Sequence, residues 1–575
     1  MPDVQTQPKR KSARHAKGSN EELVQTCNRR LTALETARLS WFYHMRDLAM
    51  YIQPRLGRFF ETPNEGNRGA RKNYRIINST GTTASMRFAA GMFAGTTNPA
   101  RPWFKLGITG MEIEDNSRVR LWLDEVQKKM LKILSASNFY RSIATIYEEM
   151  GVMGTGVMLQ YEDFNDVVRY YPKAAGEYYL AVDGRLEVTT FAEKIVMTVS
   201  EIVDRFGLEN CSEQVRTMWH DGNLDEELMI GHIIMPNADY IEGGMAMRGM
   251  KYIDVSWEWG RESNQLLEKR GHIEQPFIAP RWHVTGNDAY GRSPGMDALG
   301  DVKSLQLLEK RKAQLADKLV NPPMVADATL KNKPATTIPG GVTFIAGMKE
   351  GSAVFQPAYE VNPQAYPAIT DDIAKVEQRI KTVFYEDLFL MIASIDRANV
   401  TAAEIYERKE EKMLMLGPPL ERIHDEGLAL IVKYLFARMA RANILPGDIP
   451  EEIQGRPINI EFISVLAQAQ KAAATATIER LWALAGNISA VKPDVLDNLD
   501  ADATIREYAD MLGSPQKILV DPRKVVALRT ERMNREQRMQ AGLAAQGAAE
   551  SAKVLSETNV GGGQNALQKV LGLAA

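Results

Sequence analysis

Gly291-Arg292-Ser293-Pro294-Gly295 spells Gly-x-Ser-x-Gly, the letters of a nucleophile elbow. The chemistry does not follow the letters. An oxyanion hole needs the backbone N–H of the residue after the nucleophile, and Pro294 has none. Only His424 lies downstream to serve as the base. Ser293 reads instead as a helix N-cap, with Pro294 at the first helical position. The seven histidines are His15, His44, His220, His232, His272, His283 and His424, and no two stand at a metal-ligand spacing such as i, i+4. Each reads as a packed or surface histidine. Asp371-Asp372 and Glu410-Glu411 fall in helical stretches and read as solvated faces. Gly151, Gly154 and Gly156 follow a predicted helix, have the wrong spacing for a dinucleotide loop, and read as a helix stop feeding a sheet. No Gly-Lys dipeptide occurs, so a Walker A loop is absent. The expectation is a chain without catalytic, cofactor or metal residues, and so not an enzyme.

The elements that would carry any site are numerous. With 575 residues and 64.3 kDa the chain holds roughly four domain-sized units' worth of sequence. Its 45% hydrophobic and 25% charged residues exclude a disordered or collagen-like chain. The 70 Lys+Arg and 73 Asp+Glu leave a net charge of −3, which excludes a globally basic nucleic-acid binder but not local basic stripes. Cys27 and Cys211 are too few for a disulfide framework or a cysteine zinc site and suggest a reducing compartment. No apolar run is long enough to span a bilayer, and Met1 to Ala16 carries no apolar core of a secretory signal. The expected protein is soluble and cytoplasmic, with no membrane partner.

Along the chain, residues 1–19 are a basic tail, either solvated or an arm touching DNA or a partner. Leu23, Cys27, Leu31 and Leu34 open a helical stripe continued by Trp41, Met45 and Leu48 and closed by Pro54. Further helices are expected near 79–95, 117–136 and 138–150. Strand-like runs follow near 155–161, 167–172, 177–182, 186–192, 229–235, 251–258 and 276–283, with Asp183-Gly184 as a two-residue hairpin signal. Helices return at 295–320 and 363–390, each roughly 40 Å long at 1.5 Å per residue. Between them lies a Pro- and Gly-rich, β-like insertion. Ser394 to Asn399 is a short polar break. Thr401 and Glu404 form a Thr-x-x-Glu capping box opening a helix to about 441, with a kink at Gly417-Pro418-Pro419. An Ala-rich helix at 465–487 and another from Ala501 precede a basic helix opened by Asp521-Pro522 and ending near 545. The fold class is α+β, mainly helical.

Charge is uneven. Residues 301–320 carry five basic side chains (Lys303, Lys310, Arg311, Lys312, Lys318) against three acidic, 363–390 three against five, and 521–540 six against three. Such stretches are either mixed solvated surface or faces opposed to a polyanion.

Three segments resemble the head-to-tail connector (portal) proteins of short-tailed bacteriophages. The first runs from Asn78-Ser79-Thr80-Gly81-Thr82 through Ala89-Ala90-Gly91-Met92 to Asn98-Pro99-Ala100-Arg101-Pro102-Trp103-Phe104-Lys105-Leu106. The second joins Pro280-Arg281-Trp282 to Tyr290-Gly291-Arg292-Ser293-Pro294-Gly295 and Ala298-Leu299. The third is Asn399-Val400-Thr401-Ala402-Ala403-Glu404. The likeness extends over about 40–540. It implies a portal fold assembled as a ring of twelve subunits. Its parts would be a basic flexible tail (1–19), a wing (20–294), two stem helices (295–320 and 363–390) around a clip (321–362), and a tunnel loop (391–400). A wing spine helix and return (401–464), crown helices (465–545) and a flexible tail (546–575) would complete it. It also implies a non-enzymatic channel at one capsid vertex for double-stranded DNA packaging and ejection, joining head to tail. The implied partners are a terminase motor, tail or adaptor proteins at the clip, and capsid and scaffolding proteins. Assembly would take place in the host cytoplasm, and the final location would be the virion. No cofactor is implied. Arg397, Ser394, Asn399, Lys310 and Lys318 are the expected DNA-facing residues. The competing reading is another structural virion protein, a tail tube or internal core protein.

Overall fold

The computed structural model describes residues 20–54, 73–108, 117–260, 265–326, 355–357, 362–394, 416–447, 449–453, 458–463, 478–489, 492–511, 520, 522–558 and 566. The chain divides into two compact units. One comprises residues 1–106, 126–448 and 460–474, the other 107–125, 449–459 and 475–575. In chain order the elements begin α1 (Asn20–Tyr51), α2 (Thr80–Thr96), β1 (Phe104–Ile108), α3 (Ser117–Ala136), α4 (Phe139–Met153), β2 (Val157–Asp163) and β3 (Val167–Lys173). Then come β4 (Tyr178–Val182), β5 (Val188–Thr198), α5 (Val199–Phe206), α6 (Glu213–His220), β6 (Glu227–Pro236), β7 (Tyr252–Glu258), β8 (Leu266–His272) and β9 (Phe277–Ile278). They are followed by α7 (Pro294–Val320), β10 (Met324–Ala326), β11 (Phe355–Pro357), α8 (Ala365–Val383) and α9 (Glu386–Ser394). The remainder are α10 (416–423), a π turn at His424–Leu428, α11 (Ala429–Arg441), β12 (Ile458–Phe462), α12 (478–489), α13 (Ala501–Met511) and α14 (Pro522–Glu557). Among the described residues no helix is long and apolar enough to cross a membrane.

In the first unit the α1 stripe does what its spacing demands. Val24, Cys27, Leu31 and Leu34 pack on Ala192, Ile233, Ile253, Val255 and Trp257, which alternate along one face of the sheet. Burying each large side chain stabilises by roughly 1.5–3 kcal/mol. That sheet has five antiparallel strands in the order β4-β5-β6-β7-β8. A second cluster on Leu228, Ile230 and Leu267 is covered by Val199, Ile202 and Phe206 of α5 and Val215 of α6. A three-stranded sheet, β3-β2-β9, and a two-stranded one, β10-β11, lie in the same unit. Cys27 and Cys211 are both buried free thiols.

Several expectations need correction. Asp183-Gly184 does not make a two-residue turn. Residues 183–187 form the loop, because Asp183 Oδ1 accepts the backbone N–H of Arg185 (2.8 Å) and Glu187 (3.1 Å), and Leu186 takes the left-handed position. The 276–283 strand shrinks to Phe277–Ile278. Helices α5 and α6 and strand β8 were not foreseen: β8 is an edge strand carrying Glu268, Lys269 and Arg270, and such charge hides a β pattern. The helix expected over 363–390 is two helices, parted at Phe384-Tyr385, and residues 391–394 are helical rather than loop. Within the described part of the 401–441 helix, which begins at 416, a π turn occupies His424–Leu428; the residues leading into Gly417-Pro418-Pro419 lie outside the described residues. Thr401 and Glu404 lie outside the described residues.

In the second unit, α13 and α14 are joined by Arg529, whose guanidinium forks onto both oxygens of Asp502. Helix α14 continues past the expected end near 545, to Glu557, because Ala-rich 541–552 is strong helix-forming sequence. Of the Ala-rich 465–487 stretch, the described helix is 478–489.

Candidate functional site

The two segments at 78–106 and 280–299 meet in the first unit, and they set the bearing of α7, α8 and α9. Asn78 is the first anchor. Its Oδ1 accepts from the Thr80 backbone N–H (2.9 Å), which holds the entry to α2. Its Nδ2 donates to Glu309 Oε1 on α7 (3.0 Å) and to Glu377 Oε1 on α8 (2.8 Å). From α7, Gln306 Oε1 accepts the backbone N–H of Ile77 (2.6 Å) and Asn78 (2.8 Å), and Gln306 Nε2 returns a bond to the Asn78 carbonyl (2.9 Å). One short loop is thus tied to two long helices by side chains that satisfy its backbone.

Phe88 of α2 is the second anchor. Its ring meets Trp282 edge-on at 5.1 Å, Phe389 of α9 at 5.9 Å and Phe384 at 6.4 Å. Gly91 permits this approach: a Cβ there would stand 2.2 Å from the Phe389 ring. Arg87 adds an ion pair to Glu386 at the start of α9. Between α8 and α9, Tyr385 has φ 58°, a left-handed conformation that costs a non-glycine residue of order 1 kcal/mol or more. Its ring lies 6.0 Å from Trp282. The break between the helices is therefore held by aromatic packing against both segments.

Arg281 is the third anchor, and it is 2% exposed. Its backbone N–H (3.1 Å) and Nε (3.0 Å) donate to Glu426 Oε2, and a terminal nitrogen donates to Glu426 Oε1 at 2.7 Å. The guanidinium also reaches the carbonyls of Asp288 and Leu186. Glu426 sits in the π turn, where the widened helix brings Gly427 against Pro280. Nothing in the spacing of Arg281 and Glu426, 145 positions apart, announces this pair.

The Gly-x-Ser-x-Gly letters also find their use here. Ser293 is 1% exposed; its Oγ accepts from the Met296 N–H (3.0 Å) and donates to the Val152 carbonyl (2.6 Å), with Pro294 at the first helical position. Gly154 caps α4 at φ +82°, and a Cβ there would stand 2.2 Å from the Gly291 carbonyl oxygen. The glycines serve close backbone approach. Among the described residues no cluster of His, Cys, Asp or Glu is arranged to hold a metal.

Of the expected DNA-facing residues, Lys310 and Lys318 are exposed on α7 beyond the Asn78 anchor. Ser394 is the last residue of α9, and Arg397 and Asn399 lie outside the described residues. Of the five, Lys310 and Lys318 share α7 and Ser394 ends α9. Lys310 and Lys318 were visible as charges; the Asn78, Phe88 and Arg281 anchors were visible only as members of the two quoted segments.

Comparisons with known proteins agree with one another. The sequence model of the family described as bacteriophage head to tail connecting protein matches residues 24–519. The portal protein of Salmonella phage epsilon15 is 40% identical over 531 residues, covering 92% of this chain and 95% of that one. The probable portal protein of Bordetella phage BPP-1 is 40% identical over 522 residues, covering 91% and 93%. A chain from the virion of a native gene transfer agent particle aligns over 76% of this chain and 90% of its own, at 12% identity and a TM-score of 0.35, too distant to carry an argument.

Proposed function

The chain belongs to the bacteriophage head to tail connecting proteins and acts as a phage portal, a structural head-to-tail connector, and from that premise we propose how it does so. It assembles as a closed ring of about twelve copies, since a head-to-tail interface whose rotation closes yields a ring. The ring sits at one capsid vertex of the virion, after assembly in the host cytoplasm, against capsid and scaffolding proteins. Double-stranded DNA is packaged and ejected through its channel. Helices α7 and α8 are the stem, and residues 321–362 are the clip on which the terminase motor and later the tail or adaptor proteins dock. Residues around 395–400, directly after α9, face the DNA with Arg397, Ser394 and Asn399, and Lys310 and Lys318 line the stem. Residues 20–294 and 401–464 form the wing, and 465–545 the crown. The protein itself catalyses nothing; the motor supplies the energy.

One observation carries the ring. Among the described residues, every buried residue of this 27-residue α7 lies at or before Gln306; beyond it Leu308, Leu315 and Leu319 are only half-buried and Leu307 and Val320 are exposed, so the distal turns keep apolar surface for a neighbour. Helical turns covered on one side only gain little from propensity alone and are stabilised by neighbours. A net charge of −3 per chain suits a channel that lets DNA slide, because neutralising phosphates is what makes binding tight. Electron microscopy of the purified protein tests this. Rings with a central hole are the expected result; a 64.3 kDa monomer at all concentrations and salts would sink the reading.

A further inference from the structure

We propose that Lys173, Glu193, His232 and Asp254 form a charge-balanced tie between the two antiparallel sheets, with His232 carrying both ring protons at neutral pH, and that the tie opens on the alkaline side when one of those protons leaves.

The geometry comes first. His232 stands on β6 and is 2% exposed. Its Nδ1 is 2.9 Å from Glu193 Oε1 on β5, and its Nε2 is 2.9 Å from Asp254 Oδ1 on β7. A neutral imidazole has one N–H, so one nitrogen would turn a lone pair toward a carboxylate oxygen. Protonated carboxyls would be the other remedy, but both carboxylates already have further donors. Glu193 Oε2 pairs with Lys173 Nζ at 2.7 Å. Asp254 Oδ2 accepts from the Tyr161 hydroxyl at 3.1 Å and lies 3.2 Å from His272 Nε2. His272 Nδ1 is buried with no hydrogen-bond partner among the described residues. Two cations, Lys173 and His232, then balance two anions, Glu193 and Asp254.

The groups come from every element packed around the imidazole. Glu193, Asp254 and His272 belong to β5, β7 and β8 of the five-stranded sheet, while Lys173 and Tyr161 come from β3 and β2 of the three-stranded one. Arg205 of α5 is within electrostatic reach of Tyr161, and the Phe191 ring meets His232 edge-on at 5.9 Å. Burial alone would lower the His232 pKa; Asp254 and then Glu193 outweigh it and raise it from 6.5 to about 9. Burial likewise opposes ionisation of both carboxylates, yet Lys173 and His232 hold Glu193 below its ordinary value, and His232 holds Asp254 well below. A folded-state value above the ordinary one means the stabilisation is complete below about pH 6.5 and is lost as pH rises through about 9. Past that point a lone pair faces a carboxylate in a dry site, and the contact between the sheets carries the cost.

Glu149, a fully buried carboxyl that burial pushes up to about 8, titrates in an overlapping range, so a global melting curve would mix the two. The test must be residue-resolved. Exchange of the imidazole C2 hydrogen, followed by mass spectrometry on the full chain from about pH 5 to about pH 11, reads His232 itself. Backbone amide exchange on the same samples reads the sheets. A His232 midpoint near 9, with protection of β2, β3 and β5–β7 falling over the same interval, is the expected result. In Lys173→Met the cluster loses a cation and the His232 midpoint should rise further. A wild-type midpoint at or below 6.5, sheet protection unchanged through the titration, or a midpoint that Lys173→Met does not move would each overturn the proposal.

Discussion

Helix α7 contains two regions with opposite surroundings. From Pro294 to Gln306 it is built into the first unit: Ala298, Leu299, Val302 and Leu305 are buried, and Ser293 caps its start. From Leu307 to Val320 no residue is buried, Leu307 is 49% exposed and Val320 77%. The border is where Gln306 and Glu309 meet the Asn78 loop. Helix α8 repeats the division: through Asp372 it is exposed apart from the half-buried Ile369, and it is buried at Ile373, Val376 and Ile380. Both halves of α7 are helical, so the difference teaches that complete burial among the described residues, not helix propensity, ends at this level. Past the clamp, α7 leaves Leu307 and Val320 exposed and α8 leaves Tyr366 exposed, the apolar surface that the proposed ring would cover.

Substitutions can break this comparison. The largest effect is expected from Leu305→Ala. That side chain is fully buried, and the lost transfer energy plus the cavity should cost about 2–5 kcal/mol, measured by denaturant unfolding. An unfolding midpoint equal to that of wild type would mean the proximal half is not core. Next is Gln306→Leu, which leaves two loop N–H groups without their acceptor and should cost about 1–3 kcal/mol. Amide exchange should quicken at Ile77 and Asn78 specifically; protection unaltered there would remove the border. Leu307→Ala, one position on, should change subunit stability by no more than about 0.5 kcal/mol. It should nevertheless shift the oligomer distribution toward smaller species in light scattering. Normal assembly in that variant would leave the distal half without its proposed partner. The smallest change in folding is expected from Arg397→Ala: rings as in wild type, with altered DNA retention in assembled particles. A phosphate contact of this kind positions the duplex without reading its sequence, so the change should be the same for any packaged DNA. Retention identical to wild type would exclude Arg397 from the channel.

Much of the proximal region was legible in sequence because its signals are local. Ser293-Pro294 announces a helix start within two residues, and the α1 stripe needs only a period of 3.6. The strands around Val157–Lys173 and Glu227–Glu258 follow alternation and β-branched content over five to ten residues. The break at Tyr385 was not legible. Glu386 to Leu390 continues an apolar helical pattern, and what stops the helix is Trp282 and Phe88 arriving from elsewhere in the chain. The π turn was hidden for the same reason, since it answers to Arg281.

By itself, then, the sequence determined the helical stripes, the α+β class, the capping of α7 and, through three quoted segments, membership of the portal family. These are properties of neighbours along the chain, where 3.6 and 2.0 residue periods and the missing N–H of proline act without help. Only the tertiary structure decided where α7 ceases to be core, how Asn78, Phe88 and Arg281 anchor α7, α8, α9 and the π turn, and that Glu193, His232 and Asp254 share one dry site. Those depend on contacts between positions tens to hundreds of residues apart. Burial, which sets the packing energy, and the approach of Glu193 and Asp254 to His232 exist only once the chain has folded.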